Sequence, residues 1–279
     1  MKLIRLKTSL VAISVFVLAV NSLSAQVTGQ SYARVLLPIV LKEPLSGDQG
    51  SLWTTEFSLT NTAQVGVNVF PYSTNTTCGE CSPPAIPPGS SLRLPVVTDV
   101  SPLRGTFLYI DRAHLQDAHL SLRVRDLSRA TESWGTSLPI VGEERFVSDT
   151  LTIVDIPTGA QFRQTLRIYG LDGSDPTPVQ IKLYGRDESA TDPAAARKDV
   201  LLGQMNTVLA IDPTQVFLVN KDRPAFAEIR SLNAIADITG YKRIRIDVAP
   251  LATAKRIWAF VSVTANSTQH VTILEPSRY

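Results

Sequence analysis

The chain has 279 residues, 44% of them apolar and 19% charged, with 15 Gly and 18 Pro. That composition excludes a disordered polar chain and a collagen, and it supplies apolar mass for two ordinary domains. The formal charge of +2 counts Lys2, Arg5 and Lys7; without those three cations it becomes −1, which excludes a globally basic nucleic-acid binder.

Residues 1–7 hold three cations and no acid. They precede an apolar run, Leu10–Val20, broken only by Ser14, and then the small polar stretch Asn21-Ser22-Leu23-Ser24-Ala25. This is the order of a secretory signal. As helix the run reaches about 16 Å, short of the ~30 Å hydrocarbon core, so a signal peptide over residues 1–25, cleaved after Ser24 or Ala25, is expected rather than a membrane anchor. No Cys stands near that point, against a lipoprotein, and no later stretch approaches twenty apolar residues. The mature protein is expected to be secreted or periplasmic, with no membrane span.

The chain has 2 cysteines, Cys78 and Cys81, in Thr77-Cys78-Gly79-Glu80-Cys81-Ser82. In an exported chain this spacing is expected to give a small disulfide closing one turn of a loop. A redox centre would need a helix after the pair, and Pro83, Pro84, Pro87 and Pro88 forbid a regular one. Ser82 in place of His argues against haem attachment, and two thiols cannot complete a four-thiolate zinc site.

An internal repeat organises the rest. Leu37-Pro38-Ile39-Val40 recurs as Leu138-Pro139-Ile140-Val141, 101 positions on, and each precedes a Gly-x-x-aromatic segment opening a strand-like alternation. In the first copy Trp53, Thr55, Phe57 and Leu59 share a face; in the second, 109 positions on, Phe162, Gln164, Leu166 and Ile168 do. Val65, Val67 and Val69 correspond to Val179, Ile181 and Leu183, displaced by 114 because Asp172-Gly173-Ser174-Asp175-Pro176 lengthens a turn. Gly105–Asp111 resembles Tyr241–Asp247, and a further alternating strand follows each: Leu120, Leu122 and Val124 against Ile257, Ala259, Val261 and Val263.

Period two with one apolar face describes sheets covered on one side. Two such sheets bury those faces against each other, so an all-β chain of two tandem antiparallel β-sandwich domains is expected, each with about seven or more strands. The domains are placed at 34–141 and 148–279, separate but touching, with 142–149 as linker. Asp192–Val200 has the pattern of a short helix, and Ala225–Ala236 is open between helix and strand.

Several elements together resemble a group of tandem-repeat secreted bacterial proteins: Pro38–Val40, Gly50–Asn61 with its Gly-Ser-x-Trp-x-Thr-x-Phe-x-Leu-x-Asn pattern, Pro87–Ser90, Arg123–Asp126, Gly135–Pro139 and the closing segment Val261–Thr268. The resemblance implies immunoglobulin-like sandwiches and brings no catalytic residues with it. The second copy departs from it, with Phe162 in place of Trp and Gly170 in place of Asn.

Hydrolase, zinc-peptidase and nucleotide-binding motifs do not occur. His114 and His119 are five apart, on opposite faces of a strand, and with His270 they point to surface or turn positions rather than a metal site. Asp111 and Asp126 each end a predicted strand and would share an edge of the sandwich. Asp117 lies between them, and turn or strand-end capping is the expected role. Asp172 and Asp175 lack the ligand count of a calcium loop. No metal or cofactor is expected.

Binding features are richer. Arg accounts for 19 of the 27 cations. Arg123 and Arg125, Arg163 and Arg167, and Arg243 and Arg245 each project from the polar face of a strand, and a guanidinium fork suits carboxylate, sulfate or phosphate. An acidic polysaccharide or an envelope protein is the expected partner, with a solvated, ion-paired face as the competing account. Sugar-binding sandwiches expose aromatic rings for stacking, which draws in the three tryptophans. Trp53 shares a face with Phe57 and Leu59, Trp258 lies beside Phe260 with its burial open, and Trp134 stands at the boundary between copies, where it could wedge the domains together. Packing is the expected duty of all three. Arg123, Arg125, Arg243, Arg245 and Trp134 are the candidate binding residues. The expected function is a non-enzymatic exported protein of surface adhesion, envelope assembly or glycan or protein recognition; the alternative is a carbohydrate-active hydrolase with an unrecognised carboxylate pair.

Overall fold

The computed structural model describes residues 32–41, 43–71, 85–93, 104–129, 134–171, 176–186, 199–210 and 224–277. Cys78, Cys81, Asp172, Asp175, residues 1–25 and most of the 192–200 segment lie outside them. The described chain is all-β and antiparallel: β1 (Tyr32–Leu37), β2 (Leu45–Ser46), β3 (Leu52–Asn61), β4 (Val67–Pro71), β5 (Ala85–Ile86), β6 (Ser91–Arg93), β7 (Thr106–Asp111), β8 (Ala118–Asp126), β9 (Thr136–Ser137), β10 (Val141–Gly142), β11 (Leu151–Pro157), β12 (Phe162–Gly170), β13 (Thr177–Arg186), β14 (Asp199–Leu209), β15 (Ala225–Ile229), β16 (Arg243–Pro250), β17 (Ile257–Ala265) and β18 (Val271–Leu274).

These strands form four sheets, and the two halves repeat one plan. In the front half β1-β7-β4-β5 faces β6-β3-β8-β9; in the back half β11-β16-β13-β14 faces β15-β12-β17-β18. With the eight equivalent strands counted in chain order, both halves read 1-6-3-4 and 5-2-7-8. Two short strands are additional in front: β2 on β3 and β10 on β1. Each half is an antiparallel β-sandwich in which the first strand lies in the sheet of the third and sixth.

The alternating strands aim their apolar positions inward, as their period requires. Phe57, Leu59, Leu122 and Val124 meet Val67, Val69, Leu108 and Ile110 in the front core. Leu166, Ile168, Ala259 and Val261 meet Val179, Ile181, Leu183 and Ile246 in the back core. Asn61, fully buried, explains the closing Asn of the front motif: its amide donates to the carbonyls of Val65 and Ile86 at 2.8 Å each, tying β3 to the β5 turn. Ala225–Ala236 resolves into strand β15 followed by a 3-10 turn over Leu232–Ala234.

Three expectations are corrected. The Leu-Pro-Ile-Val repeats are not equivalent positions: Leu37 ends β1, whereas Val141 opens β10 and pairs with Leu36 of that same β1. The back-half counterpart of β1 is β11, so one apolar tetrapeptide serves two neighbouring places in one sheet. Residues 142–149 are not a free linker: Phe146 is buried 6.1 Å from the Phe107 ring, and Val147 exchanges both backbone hydrogen bonds with Ile257 at 2.9 and 2.8 Å. Asp111 and Asp126 end strands of different sheets and do not share an edge, because β7 and β8 lie on opposite layers.

One-sided burial also fails at the seam between the halves. Along β17 every residue from Ile257 to Val263 is buried. Ile257, Ala259 and Val261 point into the back core, while Trp258 and Phe260, on the other face, join Tyr169 and Leu171 in the front-half core cluster. Tyr169 stacks on Phe260 with ring centroids at 6.3 Å and leans on Phe226 at 5.1 Å and Trp258 at 5.9 Å. Burying aromatic bodies of this size stabilises by roughly 1.5–3 kcal/mol each. The halves therefore share a core.

Candidate binding face of the front half

Strand β8 alternates Leu122 and Val124 inward with Ser121, Arg123 and Arg125 outward, so both guanidiniums leave the sheet on its outer side. Glu56 of β3 sits directly opposite Arg123 in the register, one diagonal step from Arg125. Its carboxylate bridges both, at 3.3 Å from Arg123 and 2.8 Å from Arg125. Among the described residues the cluster has two cations to one anion, and Nε of each arginine has no hydrogen-bond partner.

Trp134 completes the cluster. Its ring centroid lies 4.8 Å from the Arg123 guanidinium carbon and 5.9 Å from that of Arg125, and its carbonyl accepts from Arg123 at 3.2 Å. Gly135 makes this approach geometrically feasible. Its φ is +94°, and a Cβ there would stand 2.5 Å from Arg125 Cγ and 2.6 Å from the Val124 carbonyl oxygen. The indole is 77% exposed. Packing is thus overturned for Trp134, which neither wedges the halves nor enters a core: Gly135 turns the chain so that the ring lies over the guanidiniums. Trp53 is half-buried, its indole donating to Ser51 Oγ at 2.9 Å, and Trp258 is buried at the seam.

Arg243 and Arg245 lie elsewhere, on β16 of the back half, and do not form a cationic strip with Arg123 and Arg125. Arg243 pairs with Asp155, and Arg245 with Asp199 and, at 3.2 Å, with Asp247; the Arg245 guanidinium also lies 4.1 Å from the Tyr184 ring centroid. Carboxylates of β11, β14 and β16 itself pair with the positive charge there. Arg163 and Arg167 are at the seam: Arg167 pairs with Glu228 at 3.2 Å, both nearly buried, and Arg163 donates to Gln269 at 2.7 Å.

Asp111 and Asp126 act as caps. Asp111 accepts from the Ala113 amide at 3.0 Å. Asp126 accepts from the Leu52 amide at 2.8 Å and from the Ser128 amide and hydroxyl at 3.0 and 2.6 Å. Burial pushes its carboxyl up, but those hydrogen bonds, with Arg129 nearby, hold it below the ordinary carboxylate value. His114 lies 3.7 Å from Asp117. Among the described residues no three His, Cys, Asp or Glu side chains cluster to hold a metal, and no helix is long and apolar enough to cross a membrane.

Sequence reasoning missed Glu56 and Gly135. The signal for Glu56 was an acid at an outward position of an alternating strand; pairing it with Arg123 needs the register, which neither strand encodes alone. No protein-family model, curated protein or solved structure matches the chain.

Proposed function

We propose that this protein is an exported, non-catalytic recognition protein that binds an acidic polysaccharide through Arg123, Arg125 and Trp134, in surface adhesion or envelope assembly. The observation that carries this reading is the 77% exposed indole spread over two guanidiniums that share one carboxylate. An indole left in water forgoes roughly 1.5–3 kcal/mol of burial, which a partner recovers. One indole face meets the arginines, leaving the other for a sugar ring, and the two guanidinium forks suit a uronate carboxylate or a sulfate ester.

Calorimetric titration of the purified protein with oligogalacturonate, beside an uncharged glucan of equal length, tests this. Binding of the acidic chain, weakened by added salt and lost in Arg123→Ala/Arg125→Ala and in Trp134→Ala, is the expected outcome. Equal binding by the wild type and both variants contradicts it, as does release of shorter sugars during incubation.

A further inference from the structure

The Trp134 platform continues into a groove between the halves. Strand β9 pairs with β8, and its Ser137 stands directly opposite Arg123. Opposed residues of an antiparallel pair project from the same face. Ser137 therefore shares the outer face of Arg123, and it also lines an open groove of about 540 Å³. Gly135, which follows Trp134 directly, is in the same lining.

The far wall belongs to the back half. Its residues are His270, Thr272, Ile273 and Glu275, on and around edge strand β18, with Pro139 on the near side. Thr136 donates to the Val271 carbonyl at 2.9 Å, bringing the β9 and β18 edges together along the groove. Ser137, His270 and Thr272 are exposed residues of the lining, to which Pro139 and Ile273 add apolar surface. Glu275 is held by Arg145 at 2.6 Å. Hydroxyls interspersed with small apolar patches match the edges and faces of a sugar chain, and the volume is within the range of small-ligand clefts.

We infer that the groove is a second subsite for the same ligand: a linear acidic oligosaccharide anchored on Trp134, Arg123 and Arg125 runs on past Ser137 to Thr272, so that one ligand touches both halves. This rests on the reading of the platform as a glycan site. It makes affinity depend on ligand length, because units beyond the platform bind at the effective concentration set by the first contact.

The test is a ladder of oligogalacturonates from dimer to hexamer, titrated into wild type, Thr272→Glu, Thr272→Lys and Trp134→Ala. Thr272 is exposed, so both charge variants are expected to keep the wild-type melting temperature. Wild-type affinity should rise about tenfold or more from dimer to hexamer. Thr272→Glu should flatten that rise and Thr272→Lys steepen it, each leaving dimer affinity unchanged, because a dimer is held by the platform alone and leaves the groove empty. Trp134→Ala should weaken every member. A length dependence identical in wild type and both Thr272 variants overturns the groove inference while leaving the platform intact. Failure of every oligomer to bind the wild type refutes the platform, and the groove with it.

Discussion

The phenol of Tyr169, on β12 of the back half, donates to the carbonyl oxygen of Pro38, at the end of β1 in the front half, across 2.5 Å. Both groups are buried, so the bond forms where water cannot substitute for it. Arg34, three residues before the strand end, reaches the other way and donates to the Leu171 carbonyl at 3.4 Å. The seam is thus polar at defined points inside an aromatic contact, which fixes how the halves register.

Tyr169→Phe keeps the ring and leaves the Pro38 carbonyl unpaired, so it is expected to destabilise by about 1–3 kcal/mol in urea unfolding. It also carries a pH signature. Burial raises the Tyr169 phenol well above its ordinary value of 10.0. The folded state keeps the proton where the unfolded state loses it, so this stability is fully present below about pH 10 and falls by about 1.4 kcal/mol per pH unit above it. The difference in alkaline slope between wild type and Tyr169→Phe measures this contribution; equal slopes would contradict it.

Asp126 acts in the opposite pH range. Its carboxyl is held below the usual value, so the stability it adds is present above about pH 4 and declines as acid protonates the folded form. Asp126→Asn is expected to lower stability near neutrality by about 1–3 kcal/mol, since a neutral amide oxygen accepts the three hydrogen bonds from Leu52 and Ser128 more weakly than a carboxylate and the attraction to Arg129 is lost. Acid unfolding of the variant should be correspondingly shallower below pH 4, as followed by circular dichroism.

Trp258 separates packing from hydrogen bonding at the seam. Its indole nitrogen is buried without a partner. Trp258→Phe therefore removes an unsatisfied donor while keeping an aromatic body and should cost less than Trp258→Ala, expected at about 3–5 kcal/mol. Because Trp258 belongs to the shared core, both variants should still unfold in a single calorimetric transition; two resolved transitions in the wild type would contradict a common core.

Gly135→Ala tests how Trp134 is held. The positive φ and the short distances to Arg125 and Val124 leave no room for a methyl group, so the chain must move and carry the indole away from the guanidiniums. A change in the tryptophan bands of the near-ultraviolet dichroism and a loss of about 1–2 kcal/mol are expected. An unaltered spectrum in Gly135→Ala would show that the ring is placed by something else.

Much of this architecture was legible because strand alternation reports which side chains share a face. The strands built on Phe57, Leu166, Leu122 and Val261 are where the period put them, and the outward aim of Arg123 and Arg125 follows from the same rule. Alternation does not report what covers the second face. Tyr169, Trp258 and Phe260 occupy positions that would face water in a lone sandwich, and they are buried because the other half lies there. The Leu-Pro-Ile-Val repeat misled for a related reason: a short apolar motif satisfies any strand end, and its partner is set by long-range pairing. The pairing of Arg245 is not visible in its own strand, because Asp199, 46 residues earlier, becomes its neighbour only through the β13–β14 and β13–β16 pairings.

Hydrogen–deuterium exchange of the purified protein with and without oligogalacturonate hexamer tests the recognition face most directly. Ligand-induced protection confined to β8, the Trp134–Pro139 segment and β18 is the predicted result. Protection on β13 and β16 around Arg243 and Arg245 instead, or none at saturating ligand, would contradict it.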